Sequence, residues 1–436
     1  MLVSPAFSRA GVALSDNGLG RPGLQGCDTK GAFAVSSDRL LERLFPMSEI
    51  VIVNGARTAF GAFGGGLATK SATDLAVEAG RGAIERSGVD KELIDSVIMG
   101  NVIQTSKDAI YLARHVALRN GLKESTPGHI LNLLCGSGVS AVATAAMQIQ
   151  AGMASVVLAG GTDALSMTPY SNWSNRWGGR MGHMELWDGL DIRDTYAKAS
   201  MGETAENIQE KYKISREDQD EFALRSQTLA AQAMQSGRLR EEIVPVEVES
   251  KKGKVVIEKD EHARAETTLE GLAKLKPVFR KGGSVTAGNA CGIVDGAAAL
   301  VVTSAATAEK LSLKPLVKVV SWAVTGVPPE IMGIGPVPAI PMALEKAGLK
   351  MDQIDLFEIN EAFAVQYLAC EKELNLPREK VNVNGGAIAL GHPFGATGAR
   401  LLLSISMELV KRKARYGCVS LCIGGGMGIA MILERI

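Results

Sequence analysis

Short apolar runs that end in glycine recur along the chain and predict the strands of a buried sheet. Clear examples are ASVVLAGGTDAL at 154–165 and GCVSLCIGGGMGIAMIL at 417–433. Helical patterns lie beside such runs, as in AIERSG at 83–88 and AVATAAMQI at 141–149. Buried strands that alternate with helices are typical of a mostly parallel sheet covered by helices, so the pattern predicts an α/β fold.

Three pairs of segments repeat in the same order and predict that the chain contains two similar halves. The first pair reads as a helix, a glycine stop, a short linker and an apolar strand ending in Asn. The second runs from an apolar strand through glycines into a helix, and the third is an apolar strand ending in glycines. The pairs are 83–101 with 343–360, 131–146 with 381–405, and 154–165 with 417–433. Three matches in one order indicate an internally duplicated α/β protein.

A segment of different character, 166–285, lies between these repeats and is rich in Trp, Met and charged residues. It contains two amphipathic helix patterns, MGETAENIQEKY and SREDQDEFALRSQTLAAQAMQSG. Ser215 followed by Asp218 predicts a capping box at the start of the second helix, and Gly237 predicts its end.

Residues 251–281 of this segment carry nine basic and five acidic side chains. Such a surplus is usual for a solvated face. It also fits an insertion that covers a site at the sheet ends and meets an anionic ligand. The charge alone does not decide between these two interpretations.

The first 46 residues differ in composition from the rest, with scattered Gly, Ser and Pro and with five basic and four acidic side chains. One amphipathic helix, SSDRLLERLF at 36–45, is predicted there. The segment lacks the apolar core of a secretory signal, and its acidic residues argue against a transit peptide. We therefore expect 1–46 to be a disordered or non-native extension, with the natural start at Met47 and a mitochondrial transit peptide as the alternative.

Charge and cysteine content exclude several classes of function. The chain has 47 basic and 47 acidic residues, so it shows no basic footprint for nucleic acid. Its six cysteines form no CxxC pair and no zinc spacing, which favours reduced thiols in a cytoplasmic compartment and no metal site. No apolar run reaches the roughly 18 to 20 residues of a membrane helix. We therefore expect no nucleic-acid, metal or membrane partner.

Four polar side chains fall at predicted strand ends or on the turns beyond them, where α/β enzymes gather functional groups. They are Cys135, Asn360, His392 and Cys422. Cys135 has two interpretations: a small packed residue, or a nucleophile whose pKa is lowered at the start of a helix. His392 lies between Gly391 and Pro393 on a turn that opens a helix, a poor setting for a packed core histidine.

These residue types define a reaction class. A thiolate with His as its base, and a second thiol as a proton shuttle, suit acyl transfer through a thioester combined with carbanion chemistry beside a carbonyl. Backbone N–H groups of the glycine loops and the Asn can stabilise oxyanions. The remaining histidines lack such contexts and are expected to be structural or surface residues; they are His115, His129, His183 and His262.

The chain from Met47 to Ile436 resembles the thiolase family over essentially its whole length. The motifs that carry the resemblance are LCGSG at 134–138, NEAF at 360–363, NVNGGAIALGHPFGATGAR at 382–400 and CIGGGMG at 422–428. Supporting motifs are MGETAENI, FRKGGSVTAGNACGIVDGAAAL and IMGIGPVPA. The stretches SVIMGNVIQTSKDAIYLARHVALR and DEHARAETTLEGLAKLKPVF are most similar to mitochondrial-type 3-ketoacyl-CoA thiolases, whereas other parts are equally similar to bacterial acetoacetyl-CoA thiolases.

The resemblance implies a thiolase-like α/β fold in which two βαβαβαββ halves form a five-layer α-β-α-β-α core. Residues 47–165 and 286–316 would form the N-terminal half, and 317–436 the C-terminal half. Residues 166–285 would be an inserted loop domain that covers the CoA site. Thiolases are dimers or dimers of dimers, so a homodimer or homotetramer is also implied.

By the same resemblance Cys135 takes the acyl group as a thioester, and His392 activates its sulfur. Cys422 removes or returns the α-proton of acetyl-CoA. One oxyanion hole would consist of His392 and a water held by Asn360, and the other of the N–H groups of Cys135 and Gly424. Such donors are needed because the α-proton of a thioester has a pKa far above that of any thiol.

The substrates would be CoA thioesters, with no tightly bound cofactor. Arg264 would meet the CoA nucleotide. Apolar or small residues would line the pantetheine tunnel, and two methionines would crowd the acyl pocket. The tunnel residues are Phe279, Ala287, Cys291, Ala362 and Phe363, and the methionines are Met201 and Met332.

Three positions depart from the family pattern. Ser200 stands where many short-chain thiolases have His, so a hydrogen bond toward the thioester is missing or replaced. Cys291 and Gly271 stand where Ser is usual, which puts one pantetheine contact in doubt. The four catalytic side chains are unaffected.

The function that we expect is reversible conversion of 3-oxoacyl-CoA and CoA to acyl-CoA and acetyl-CoA, in fatty acid β-oxidation. Acetoacetyl-CoA synthesis is the alternative within the family. A decarboxylating ketoacyl synthase would use Cys with two His residues, and a non-catalytic lipid-binding relative would have lost a catalytic group. We expect a cytoplasmic location, or the mitochondrial matrix if 1–46 is a transit peptide.

Overall fold

The computed structural model describes residues 48–250 and 253–436. The extension 1–46 and the helix predicted at 36–45 lie outside the described residues. Among those that are described, no helix is both long enough and apolar enough to cross a membrane.

Strands and helices alternate along much of the chain. The strands are β1 (Ile50–Thr58), β2 (Gly61–Ala62), β3 (Ser96–Gly100), β4 (Gly128–Leu131), β5 (Val156–Ala164), β6 (Tyr170–Ser171), β7 (Trp187–Asp188), β8 (Arg193–Asp194), β9 (Ala199–Ser200), β10 (Ile243–Val244), β11 (Val246–Ser250), β12 (Gly253–Ile257), β13 (Val294–Ser304), β14 (Val317–Gly326), β15 (Leu356–Ile359), β16 (Tyr416–Ile423) and β17 (Met427–Arg435). Strands β5 and β13 are buried along their whole length, which explains their unbroken runs of small and apolar residues.

The helices begin after caps or tight turns that the sequence supplies. They are α1 (Ala72–Ser87), α2 (Leu112–Arg119), α3 (Ser137–Gln150), α4 (Met201–Tyr212), α5 (Arg216–Gln235), α6 (Leu269–Ala273), α7 (Ala305–Lys310), α8 (Pro336–Ala347), α9 (Ala364–Leu374), α10 (Ala387–Leu390) and α11 (Phe394–Arg412).

The longer strands form a mixed sheet in which two halves repeat one strand order. The N-terminal half has the order β4-β3-β5-β13-β1, with β13 antiparallel to its neighbours. The C-terminal half has the order β15-β16-β17-β14, with β17 antiparallel to its neighbours. A parallel bridge between Phe357 and Val381 takes the place of β4 in this half. The halves join where Ile50–Ile52 of β1 pair with Val317–Val319 of β14.

The first predicted repeat has the same structure twice. Helix α1 ends at Gly88 and helix α8 at Gly348, and these glycines adopt left-handed φ angles of 69° and 65°. A short 3₁₀ helix follows each glycine and leads into β3 or β15. Glycine suits both places because the backbone of a residue with a Cβ atom is strained at such φ angles. The predicted duplicated α/β fold is confirmed. The expectation of a mostly parallel sheet is wrong, because β13 and β17 run antiparallel to both of their neighbours and β1 pairs antiparallel with β14.

The helices form three layers that enclose the two halves of the sheet. Helices α1 and α2 cover the outer face of the N-terminal half, where α1 packs on β1, β5 and β13. Helix α8 covers β14, β16 and β17 on the outer face of the C-terminal half, with α9 beside it. Helices α3 and α11 pack against each other and against strands of both halves. This arrangement is the predicted five-layer α-β-α-β-α core.

The two central helices touch backbone to backbone where they cross. A side chain at Gly138 of α3 would collide with the backbone nitrogen of Ala399. A Cβ on Gly398 of α11 would lie 2.5 Å from the backbone nitrogen of Val139. Because neither neighbour is a flexible side chain, the crossing requires glycine on both helices.

A buried carboxylate also joins the halves. Asp163, at the end of β5, accepts a hydrogen bond from the N–H of Gly395 in the first turn of α11 at 2.6 Å. It also accepts the Val102 and Ile103 N–H groups at 3.1 Å and the Asn101 amide at 2.9 Å. Burial raises the pKa of Asp163 to about 7, and these donors oppose that rise.

A buried ionic network connects β1, the segment 238–260 and α11. The Arg57 guanidinium contacts Glu242 at 2.9 Å and Asp260 at 2.7 Å, and all three side chains are fully buried. Arg238 pairs with Glu242 at 2.9 Å and with Glu408 of α11. Truncation of one member would leave a buried charge unpaired, so this network holds the three elements together.

The segment 166–285 contains the two predicted helices, α4 and α5. The N–H of Asp218 donates to Ser215 Oγ at 3.0 Å, as predicted for the start of α5. The Asp218 carboxylate accepts the Ser215 hydroxyl at 2.7 Å. The predicted capping box is therefore incomplete, because the short Asp side chain bonds the hydroxyl rather than the backbone N–H. Gly237, with φ 78°, follows the end of the helix, and the domain boundaries themselves stay a prediction.

The helix crossing makes a testable prediction. We expect Gly398→Ala to lower the free energy of unfolding by about 1–3 kcal/mol, because the added methyl group must push the central helices apart. Urea unfolding followed by circular dichroism measures the change. Gly326→Ala is the matched control, because its Cβ would meet nothing closer than the Gly426 carbonyl oxygen at 3.9 Å. Equal unfolding midpoints for the two variants would contradict the requirement for glycine.

Candidate active site

A cavity of about 900 Å³ lies among the loops at the strand ends and the segment 166–285. Its volume is near the upper end of the range for ligand pockets. All the residues that the sequence assigned to catalysis or CoA binding lie on its wall except Asn360. These wall residues are Cys135, His392, Cys422, Gly424, Arg264, Phe279, Ala287, Cys291, Ala362, Phe363, Met201 and Met332.

Cys135 lies on a strained turn between β4 and α3. Leu134 before it has a φ of 47°, a left-handed conformation that costs of order 1–3 kcal/mol for such a residue. Ser137 stabilises the turn, because its hydroxyl donates to the Leu134 carbonyl at 2.7 Å and accepts the Leu133 N–H at 2.9 Å. Helix α3 begins at Ser137, so the thiol lies at a helix start as the sequence predicts.

The electrostatics of Cys135 differ from the expectation. Burial raises the pKa of its thiol to about 12, although the N–H groups of Gly424 and of Cys135 itself point at the sulfur and favour the thiolate. The lowering expected from the helix start is therefore wrong, because the cost of burying a negative charge exceeds it. The thiol is protonated at neutral pH and needs a base to act as a nucleophile.

His392 lies on the turn before α11 with only 2% of its surface exposed. The Thr397 hydroxyl donates to the Pro393 carbonyl at 3.0 Å, so it accepts the Nδ1–H of His392 at 2.6 Å. Nε2 is then unprotonated and accepts the Nδ2–H of Asn360 at 3.3 Å. Burial, and then the charge of Arg400, lower the pKa of His392 to about 3. The side chain is therefore a neutral base whose lone pair is on Nε2.

Asn360 follows β15 and lies behind His392 rather than on the cavity wall. It is 1% exposed, and within the described residues its Oδ1 has no hydrogen-bond partner. An unsatisfied buried amide oxygen costs about 1–3 kcal/mol, so this atom marks a place where an ordered water would bind favourably.

Two further thiols lie on the wall beside Cys135. Cys422 is near the end of β16, and a turn of three glycines leads from there into β17. Burial raises the pKa of Cys291 to about 12 and that of Cys422 well above its ordinary value, and the proximity of Cys135 adds to both shifts. All three thiols are therefore neutral at pH 7.

Backbone hydrogen bonds tie several parts of the wall together. The N–H of Cys291 donates to the Ala362 carbonyl at 3.0 Å, and the N–H of His392 donates to the Gly292 carbonyl at 3.0 Å. The segment 291–292 therefore sets the position of both the NEAF loop and the His392 turn.

The segment 166–285 supplies another part of the wall. The Phe279 ring lies against Gly202 at the start of α4, where a side chain on Gly202 would collide with it. Phe279 also packs edge-to-face on Phe363, with ring centroids 6.1 Å apart. Ser200 caps α4 by accepting the Glu203 N–H at 3.3 Å. This surface is apolar and narrow, which suits a flexible linear ligand.

The arrangement can perform nucleophilic chemistry with proton transfer between neutral groups. It offers a protonated thiol, a neutral imidazole base, a second thiol and backbone N–H donors around one cavity. Within 48–250 and 253–436, no group of three or more His, Cys, Asp or Glu side chains is arranged to hold a metal ion.

Several residues that shape the site were missed by sequence reasoning. Thr397 sets the His392 tautomer, and its place in GHPFGATGAR was the available signal. Asp163 and the backbone of Leu134 act through folded geometry that no local pattern reveals. His262 was expected to be a structural or surface residue, but it lies on the cavity wall because its segment folds over the pocket.

Comparison with known families gives two matches that together span most of the chain. Residues 50–306 match the thiolase N-terminal domain, and residues 313–435 match the thiolase C-terminal domain.

Individual relatives give the same result. The human mitochondrial 3-ketoacyl-CoA thiolase is 48% identical over 388 residues, which cover 88% of this chain and 98% of that protein. The acetyl-CoA acetyltransferase of Escherichia coli strain K12 is 48% identical over 395 residues, covering 89% of this chain and all of that protein. The crystal structure of the human mitochondrial enzyme in complex with CoA is 47% identical, has a TM-score of 0.87 and covers 89% of this chain and 98% of that one.

The raised pKa of Cys135 makes a second testable prediction. Because burial raises this pKa to about 12, the thiolate fraction is small at neutral pH and grows as the pH rises toward that value. We expect the rate at which iodoacetamide alkylates Cys135 to increase about tenfold per pH unit between about pH 7 and pH 9. Mass spectrometry of the Cys135 peptide measures the rate, and Cys135→Ser identifies the site. A plateau near pH 7 would show that the thiol is already ionised.

Proposed function

The chain belongs to the thiolase family, and we propose that it interconverts 3-oxoacyl-CoA and CoA with acyl-CoA and acetyl-CoA through an acyl-cysteine intermediate. The observation that carries this proposal is the meeting of Cys135, His392 and Cys422 on one cavity wall, with Asn360 bonded to His392. These side chains come from turns that are distant in sequence.

In the cleavage direction, the thiol of Cys135 attacks the 3-oxo carbonyl carbon of the substrate. His392 accepts the thiol proton at Nε2, which is unprotonated because Nδ1–H donates to Thr397. The long hydrogen bond from Asn360 to this nitrogen, at 3.3 Å, must be released for that transfer, because Nε2 has a single lone pair. The bond between the α and β carbons then breaks. The products of this step are the acyl-cysteine and the enolate of acetyl-CoA.

Cys422 protonates that enolate, and acetyl-CoA leaves. The thiol of CoA then gives its proton to the Cys422 thiolate and attacks the acyl-cysteine. Acyl-CoA leaves, and protonated His392 returns its proton to the Cys135 sulfur. In the condensing direction Cys422 removes the α-proton of acetyl-CoA. The N–H groups of Cys135 and Gly424 point toward the Cys135 sulfur, so they lie where they can stabilise the oxyanion that develops on the carbonyl oxygen of the group bonded to that sulfur.

The cavity supports binding of the CoA arm. The Phe279 and Phe363 rings and the small residues Ala287 and Ala362 offer a narrow apolar surface for pantetheine. Arg264, on the same wall, supplies positive charge for the nucleotide. The human relative crystallised with CoA is consistent with this use of the site.

Acetoacetyl-CoA synthesis is the second candidate. It is supported by the equal identity, 48%, to a 3-ketoacyl-CoA thiolase and to an acetyl-CoA acetyltransferase. We favour the broader 3-oxoacyl-CoA reaction because SVIMGNVIQTSKDAIYLARHVALR and DEHARAETTLEGLAKLKPVF are most similar to mitochondrial-type 3-ketoacyl-CoA thiolases.

Assembly and location are parts of the same proposal. We infer a homodimer or homotetramer that uses CoA thioesters without a tightly bound cofactor, located in the cytoplasm or, if 1–46 acts as a transit peptide, in the mitochondrial matrix. Light scattering of the purified protein and imaging of a tagged full-length chain test these two points.

The division of labour between the thiols gives a direct prediction. We expect Cys135→Ala to abolish acetyl-enzyme formation and thiolysis of acetoacetyl-CoA, because the acyl-carrying sulfur is lost. We expect Cys422→Ala to form acetyl-enzyme but to lose condensation by about 10²–10⁴-fold, the usual contribution of a positioned acid or base. Radiolabelled acetyl transfer and loss of acetoacetyl-CoA absorbance measure the two steps. An active Cys135→Ala variant would exclude the mechanism.

Chain-length preference separates the two candidate activities. We expect kcat/KM for thiolysis to fall by no more than about tenfold as the 3-oxoacyl chain grows from four to ten carbons, because the apolar contact that each added methylene makes offsets its steric cost. Kinetics with a series of 3-oxoacyl-CoA thioesters measure this preference. A steep fall beyond four carbons would favour the acetoacetyl-CoA alternative.

A further inference from the structure

The segment Asp260–Arg264 is fixed to the N-terminal half and passes along the cavity wall. Asp260 accepts the Phe60 N–H at 2.8 Å, and the Glu261 carboxylate accepts the Ala62 N–H at 3.0 Å. The first two residues of this segment are therefore fixed with respect to the loop that follows β1, and His262 comes directly after them.

His262 extends from this segment to the backbone that enters the His392 turn. Its Nδ1 lies 3.0 Å from the carbonyl oxygen of Ala389 in α10, three residues before His392. A carbonyl only accepts, so Nδ1 carries the proton and donates it. Burial lowers the pKa of His262, which keeps the imidazole neutral with this donor in place.

The same imidazole packs on a second backbone segment. A Cβ on Gly292 would lie 2.5 Å from Cε1 of the His262 ring, so the ring lies flat against the bare Cα of Gly292. The carbonyl of Gly292 accepts the His392 N–H at 3.0 Å. His262 thus contacts both segments that fix the His392 backbone, one by a hydrogen bond and one by packing.

Gln227 makes a second connection between the segment Asp260–Arg264 and α10. Gln227 of α5 accepts the Arg264 N–H at 2.8 Å and donates to the Ile388 carbonyl at 3.4 Å. The residue proposed to meet the CoA nucleotide and the helix before His392 are therefore joined through neighbouring contacts.

We propose that His262 is a positioning residue that sets the place of His392 relative to Cys135. It acts through the Ala389 carbonyl and the Gly292 backbone, and it does not touch the reacting atoms. This inference rests on the proposed thiolase reaction, in which His392 Nε2 accepts the thiol proton. A displacement of about 1 Å at such a base can lower the rate about 100-fold.

Two other roles for His262 predict different effects of its substitution on kcat, KM and stability. A residue that contacts CoA would change KM for the CoA substrates and leave kcat intact. A residue needed only for folding would lower stability, and the hydrogen-bonding capacity of its replacement would not affect catalysis in the folded protein.

The test compares His262→Phe with His262→Asn. Phe keeps a ring against Gly292 but cannot donate to Ala389, whereas the Asn amide can donate from nearly the position of Nδ1. We expect His262→Phe to lower kcat for acetoacetyl-CoA thiolysis about 10- to 100-fold with KM for both substrates changed less than about threefold. We expect His262→Asn to restore kcat to within about fivefold of the wild type.

His115→Phe is the control for the chemical change itself, because His115 pairs with Asp108 and is not on the cavity wall. Thermal melting of each variant separates folding from catalysis. Gly292→Ala is a further variant, since its methyl group displaces the His262 ring, and we expect it also to lower kcat. If His262→Phe fails to fold, His262→Leu takes its place in the comparison with His262→Asn, because Leu also lacks a hydrogen-bond donor.

Three results would overturn the inference: unchanged kcat with raised KM in His262→Phe, equal kcat in the folded Phe and Asn variants, or unchanged kcat in Gly292→Ala. A wild-type protein without thiolysis activity would instead contradict the proposed function. The two failures are therefore distinguishable.

Discussion

The close crossing of α3 and α11 is the constraint on which the rest of the molecule depends. Gly138 and Gly398 let the two backbones touch, and the halves of the sheet then pack around this pair. Helix α3 begins two residues after Cys135, and α11 begins two residues after His392. The spacing of the helices therefore sets the spacing of the two turns, and Asp163 adds a hydrogen bond from one half to the first turn of the other. Catalytic geometry is in this sense a result of core packing.

The pocket contains ionisable groups that burial keeps neutral. The pKa of each wall thiol is raised and that of His392 is lowered, so burial disfavours both the thiolate and the imidazolium. Backbone N–H groups on the pocket wall can stabilise negative charge where a reaction creates it. The hydrogen bond from His392 to Thr397 matters for the same reason, because it places the imidazole proton on Nδ1 and leaves the basic lone pair on Nε2.

Much of this architecture could be predicted from the sequence, because it depends on local and periodic signals. The repeated pattern of helix, glycine and strand predicted the two halves, and strand-end positions predicted that Cys135, His392 and Cys422 share a site. Burial was harder to predict, and it reversed the direction expected for the Cys135 pKa. The position of His262 was also beyond local reasoning, since it results from a segment that is distant in sequence and folds over the pocket.

The equivalence of the two halves has a consequence for how such a site can arise. The turn between β4 and α3 and the turn before α11 occupy corresponding places in the repeated strand order. One carries a thiol and the other an imidazole, so neither half contains both the proposed nucleophile and its proposed base. A site of this kind can therefore arise only where two such halves lie side by side. The covalent link between the halves keeps each turn beside its partner.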